Sequence, residues 1–125
     1  MTNKIFKKIL VCGGRDFNDH FLVHKTLNQL RQTHFAEQFC IIQGGAKGAD
    51  KIADDWAKFM GKCSITVDAN WDYYAKGAGS IRNGWMIEFC NPDLVVAFRG
   101  GRGTNNMVEK AFTLKIPVIR ISDAK

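Results

Sequence analysis

Three glycine-rich clusters are the places where this chain can handle an anion. They are Gly13-Gly14-Arg15-Asp16, Gly44-Gly45-Ala46-Lys47-Gly48-Ala49-Asp50 and Gly100-Gly101-Arg102-Gly103-Thr104. Glycine reaches positive φ without strain and puts no Cβ between backbone N–H groups and a guest. Where such a cluster opens a helix, the free N–H groups of the first turn and the positive end of the helix dipole favour negative charge by roughly 0.3–2 kcal/mol. Phosphate is the group this arrangement suits. The clusters also carry Arg15, Lys47 and Arg102, and Arg82 lies upstream of the third cluster. A planar guanidinium grips phosphate through two hydrogen bonds, which makes Arg82, at a helix start, the leading cation. The predicted ligand-binding set is therefore Gly13, Gly14, Arg15, Gly44, Gly45, Lys47, Gly48, Arg82, Gly100, Gly101, Gly103 and Thr104.

Acid–base candidates are few. Asp16 and Asp50 flank the first two clusters, and each also suits a helix N-terminus, where a carboxylate accepts free N–H groups. Together with Arg82 they are the candidate catalytic residues. The second cluster is not a Walker A motif, because Lys47 precedes its last glycine and Ala49 follows it; GxGxxG, HExxH and GxSxG are also missing. His20 and His24 share a helical face, which alone does not make a metal site, so neither metal nor required cofactor is predicted. The aperiodic segment 68–79 reads as a loop or lid over the strand ends. Its Trp71 and Tyr74 can stack a base or pack into the core.

The elements that must position these residues follow from the apolar pattern. Five short aliphatic runs, 8–12, 39–43, 64–67, 94–98 and 118–121, alternate with amphipathic or glycine-opened segments, the pattern of βαβ units. Runs this uniformly apolar belong to strands covered on both faces. The expected fold is α/β: a Rossmann-like open parallel sheet of about five strands in three layers, with residues 1–125 forming one domain. All strand-to-helix junctions then lie at the carboxyl edge, where the crevice of such a sheet takes its ligand. The predicted core stripes are Val23, Leu27 and Leu30; Ile52, Ala53, Trp56, Phe59 and Met60; Ile81, Trp85 and Phe89; and Met107, Val108, Ala111, Phe112 and Leu114. Gly61 closes the second helix in the left-handed region.

Composition agrees with this picture. With 125 residues, 46% of them hydrophobic, the chain can build a core without disulfides or metal. Cys12, Cys40, Cys63 and Cys90 form no CxxC pair and read as reduced core residues. The net charge of +6 favours anionic partners. No apolar run approaches the roughly 20 residues of a membrane span or suits a signal-peptide core, so the expectation is a cytoplasmic protein with no membrane contact.

The ordered set GGRDF (13–17), GGAKGAD (44–50), GSIRNGWM (79–86) and GGRGTNNM (100–107) resembles the SLOG superfamily, which joins Lonely Guy phosphoribohydrolases to DNA-processing protein A. The nearest likeness is to its small stand-alone branch related to YspA and YpsA. The resemblance implies a Rossmann-like sheet with a nucleotide or nucleotide-derived ligand at its carboxyl edge, and makes a homodimer an expectation. In Lonely Guy enzymes an Arg followed by Met on one helix and a GGxGTxxE loop form the site that cuts a base from a ribose phosphate. Arg82 and Met86 match the first element; Gly100, Gly101, Gly103 and Thr104 match the second. At the position of the family's catalytic Glu stands Met107. An oxocarbenium-like transition state needs a carboxylate nearby, and Glu109 lies about 200° further round the helix.

Three functions follow. The first is binding or sensing of a phosphorylated nucleotide-like small molecule: a nucleotide, a nucleoside phosphate or an NAD-derived compound. The second is phosphoribohydrolase-type cleavage through a substitute acid. The third is nucleic-acid binding, which the charge favours but which lacks an aromatic-lined basic stripe or a helix-turn-helix.

Overall fold

Strand β1 (Phe6–Cys12) occupies the centre of a five-stranded parallel sheet. In the computed structural model, which describes residues 5–69 and 77–121, the chain runs outward first. Helix α1 (His20–Thr33) leads to β2 (Phe35–Gln43), and α2 (Ala49–Phe59) leads to β3 (Cys63–Thr66) at one edge. It then returns through α3 (Ala78–Glu88) to β4 (Leu94–Ala97) on the other side of β1, and α4 (Arg102–Thr113) leads to β5 (Val118–Arg120). The order β3-β2-β1-β4-β5 reverses direction between β1 and β4. At that reversal neighbouring loops diverge to opposite faces and open a crevice.

Alternation along the strands builds two cores. Ile9, Val11, Ile41, Leu94 and Val96 face α1 and α2, meeting Val23, Leu27, Ile52 and Trp56. Leu10, Cys12, Ile42, Val95 and Ala97 face the opposite way and meet Met86, Ile87, Met107 and Ala111 of α3 and α4. The three-layer architecture is thus the one the sequence predicts, and the strands match the expected runs to within a few residues. β2 is the longest departure: it begins at Phe35, which pairs with Phe6 before an irregularity in register.

Helix ends behave as their residues require. Asp19 caps α1, its Oδ1 accepting the Leu22 N–H at 2.9 Å. After α2, Gly61 sits at φ +69 while its N–H donates to Lys58 O and that of Lys62 donates to Ala57 O. This is the paired closure that a left-handed residue permits.

Four predicted core residues are on the surface instead. Phe59, Phe89, Phe112 and Leu114 are 85%, 76%, 81% and 56% exposed. Phe59 ends α2 where the chain turns away. In α3 the inward face is Ala78, Asn83, Met86 and Ile87, so Phe89 points outward while Ile81 and Trp85 are only half-buried. In α4 the stripe is Thr104, Met107 and Ala111, and Phe112 and Leu114 fall to its side and end. The cysteine expectation divides as well. Cys12 is buried, and burial raises its thiol pKa to about 12. Cys63 is exposed because β3 is an edge strand. Among the described residues no helix is long and apolar enough to cross a membrane.

Candidate functional site

The β1–α1, β2–α2 and β4–α4 loops all leave the carboxyl edge, and their glycines let them pack on one another. The Gly14 N–H donates to Arg99 O at 2.8 Å, and Gly14 O accepts from Phe17 N at 3.2 Å and Ala49 N at 3.4 Å. A Cβ on Gly13 would strike Ala49, and one on Gly100 would strike Thr104 and the Gly14 backbone. Gly48 faces the strictest demand: it sits at φ +80 against the carbonyls of Gly14 and Arg15. The β1 loop is therefore clamped between its two neighbours, straddling the reversal in strand order.

The β2–α2 loop is shaped by internal acceptors. Asp50, in the first turn of α2 and 6% exposed, accepts the N–H groups of Gly44 at 3.1 Å and Ala46 at 3.3 Å through Oδ2. Gln43, 1% exposed, accepts the Gly45 N–H through Oε1 at 2.6 Å, and its amide donates to Thr66 Oγ1 at 2.6 Å. Three amides of this loop, those of Gly44 and Gly45 expected to meet phosphate and that of Ala46, thus already have protein acceptors, and Asp50 lies beneath the loop as a built-in anion. Burial raises the Asp50 pKa to about 6, against the opposing pull of Arg82 and the two N–H groups.

Arg82 joins this loop to α3. Its Nη1 donates to Gly44 O at 2.6 Å and its Nε to Asn83 Oδ1 at 3.1 Å. Asn83 is 3% exposed and ties α3 to α4, donating to Gly103 O at 3.1 Å and Asn106 Oδ1 at 3.0 Å. Arg82 lies four residues into α3, not at the helix start as expected, and is half-buried. Burial lowers its pKa, and the Asp50 carboxylate counteracts this.

Two clefts meet at this guanidinium. One, about 500 Å³, is lined by Arg15, Lys47, Asp68, Arg82 and the backbone of 44–46. The other, about 300 Å³, lies between the N-terminal turns of α3 and α4 and is lined by Ser80, Arg82, Asn83, Arg102, Gly103 and Asn106. Among the predicted residues, Arg15, Gly44, Gly45, Lys47 and Arg82 meet in the first cleft, and Gly103 lines the second. Gly13, Gly14, Gly48 and Gly100 support the loops from behind. Gly101 is exposed at the start of α4. Thr104 is 4% exposed and lies against Gly100. Asp16 is exposed and outside both clefts. Trp71 and Tyr74 lie outside the described residues.

The sequence reading passed over Gln43, Asp68, Asn83 and Asn106. Asp68 stands two residues beyond the end of β3, and its carboxylate lies against Gly45, which sits at φ +75. Its signal was faint: it is the first charged residue after a strand whose one neighbour, β2, ends in a glycine loop. The first cleft thus presents three cationic side chains and one carboxylate. Such a lining accepts an anion together with hydroxyl or amino donors.

Residues 7–74 match the model of the YspA, cpYpsA-related SLOG family. The chain belongs to this family. The Gene 61 protein of Mycobacterium phage D29 is 33% identical over 125 residues, spanning 94% of this chain and 98% of that protein. DNA processing protein A from Streptococcus pneumoniae has the same fold, with a TM-score of 0.74 and 20% identity over 95% of this chain. This chain spans about half of it, 51%. The molybdenum cofactor binding protein of Rippkaea orientalis gives a TM-score of 0.68 at 21% identity, over 99% of this chain and 79% of that one.

Proposed function

We propose that this protein binds or senses a phosphorylated, nucleotide-like small molecule in the cleft at the carboxyl edge. The observation that carries this reading is the convergence of Arg15, Lys47 and Arg82 around the 44–46 backbone, with Asp68 in the same cleft. The cations suit a phosphate, and the Asp68 carboxylate suits ribose hydroxyls or an amino group. One feature limits the phosphate's position: the amides of residues 44–46 are already bonded to Gln43 and Asp50. The side chains of Arg15, Lys47 and Arg82, rather than these three amides, supply the donors. Isothermal titration with AMP and with adenosine tests the reading. Binding of AMP with little or no binding of adenosine is expected, and equal affinity for the two overturns the phosphate assignment.

The same geometry argues against Lonely-Guy-type hydrolysis. Met107 is fully buried and packs with Leu10, Cys12 and Val95 beneath the sheet. Glu109 is exposed and lines neither cleft. Incubation with AMP should therefore release no adenine at ordinary enzyme rates, roughly 1 per second or faster. Chromatography of the mixture checks this, and release at such rates would show that another acid serves in place of the missing carboxylate.

A further inference from the structure

Cys40 of β2 and Cys63 of β3 stand directly opposite one another in the parallel register. The Cys40 thiol is directed at Cys63 Sγ, 2.6 Å away. Residues paired across neighbouring strands lie about 4.7–4.9 Å apart, within the roughly 4.4–6.8 Å that a disulfide spans between Cα atoms. Because β3 is an edge strand, Cys63 is exposed and a small reagent reaches the pair from that side, whereas Cys40 is half-buried behind it. Cys12 is buried at the end of β1 in the sheet's centre. Cys90, half-buried against the core cluster that includes Ile42, is the competing partner.

We propose that Cys40 and Cys63 are a reversible dithiol–disulfide site, closed by exchange with a low-molecular-weight disulfide, that staples the edge strand β3 to β2. In the first step the Cys63 thiolate attacks one sulfur of the small disulfide. A mixed disulfide forms at Cys63, and one small thiolate leaves and takes up a proton. In the second step Cys40 gives its proton to solvent and its sulfur attacks Cys63 Sγ, expelling the second small thiol. The two cysteines lose two electrons together, and the small disulfide is reduced to two thiols.

Exposure sets this order. Burial first, then the hydrogen bond and the charge of Cys63, raise the Cys40 pKa to about 12. Capping Cys63 as a mixed disulfide removes the last two of these effects and leaves burial, the largest, in place. The staple bears on the ligand cleft through β3, whose carboxyl end bonds Gln43 through Thr66 and continues into Asp68 and Ala69 in the cleft wall.

The test is equilibration of the whole protein with oxidised glutathione, followed by alkylation under denaturing conditions and peptide mass mapping. The expected product is an intramolecular disulfide between the Cys40 and Cys63 peptides, with two of the four cysteines still alkylated. It is absent in Cys40→Ser and in Cys63→Ser. The oxidised wild type should melt several degrees higher than the reduced protein, and dithiothreitol should reverse the shift. A stable glutathione adduct on Cys63 with Cys40 free, a link to Cys90, a Cys63 link between two chains, or four alkylated thiols would each overturn the proposal.

Discussion

Replacing Arg82 by Ala is expected to weaken AMP binding about 10- to 150-fold and to destabilise the fold as well. The affinity loss corresponds to one charge-assisted hydrogen bond, roughly 1.5–3 kcal/mol. The stability loss comes from what the guanidinium does without a ligand. Its Nη1 satisfies Gly44 O and its Nε satisfies Asn83 Oδ1, both in buried surroundings. An acceptor left unsatisfied costs about 1–3 kcal/mol. Calorimetry and urea denaturation on the same variant separate the two effects. Lys25→Ala, an exposed change on α1, should alter neither. Arg82→Lys keeps the charge but cannot hold Gly44 and Asn83 at once, so it should recover part of the affinity and little of the stability. Unchanged stability in Arg82→Ala would mean that the loop-to-helix tie is energetically idle.

Asp50→Asn is expected to stabilise the protein at pH 8 and to leave it nearly unchanged at pH 4 or below. Asp50 has a folded-state pKa raised to about 6 from an ordinary value of 3.8. Its contribution is therefore fully present below about pH 3.8, where it is protonated in both states, and is lost as pH rises through 6. The unfolded chain releases the proton first, so in this window the folded state binds more protons and stability falls with rising pH. Two pKa units correspond to about 3 kcal/mol. Asparagine stays neutral throughout, and its carbonyl oxygen can accept the Gly44 and Ala46 N–H groups that Asp50 accepts through a single oxygen. Denaturation of both proteins at pH 4 and pH 8 measures the difference, and a variant less stable at pH 8 would contradict the burial argument. Removing Arg82 takes away the largest effect holding this pKa down, so in the Arg82→Ala background the window should extend above pH 6.

The strands were legible because apolar runs covered on both faces leave a plain signal, and the loops because glycine clusters mark strand ends. Helix phase was less legible. Phe89 shares a regular spacing with Ile81 and Trp85, yet α3 is oriented by a buried polar residue, Asn83, whose bonds to Gly103 and Asn106 connect segments distant in sequence. Hydrophobic periodicity cannot register such a tie. The role of Asp50 was half-legible: its place at a helix start suited N–H acceptance, but that it occupies the amides of its own loop depends on how the 44–50 turn closes. Asp68 was hidden by its position at the border of an aperiodic segment. Met107, expected at the position of the family's carboxylate, is buried because it belongs to the Thr104, Met107 and Ala111 stripe that faces the sheet.

The most direct test of the central claim is an amide NMR titration of the isotopically labelled protein with AMP at low salt, which reports both binding and its location. Saturable shifts confined to residues 13–15, 44–48, 68–69, 82–83 and 100–103 are the predicted result, and in Arg82→Ala they should need about 10- to 150-fold more AMP. Absence of saturable shifts at millimolar AMP, or shifts clustered on the outer face of α3 and α4 around Glu88, Lys110 and Leu114, would contradict it.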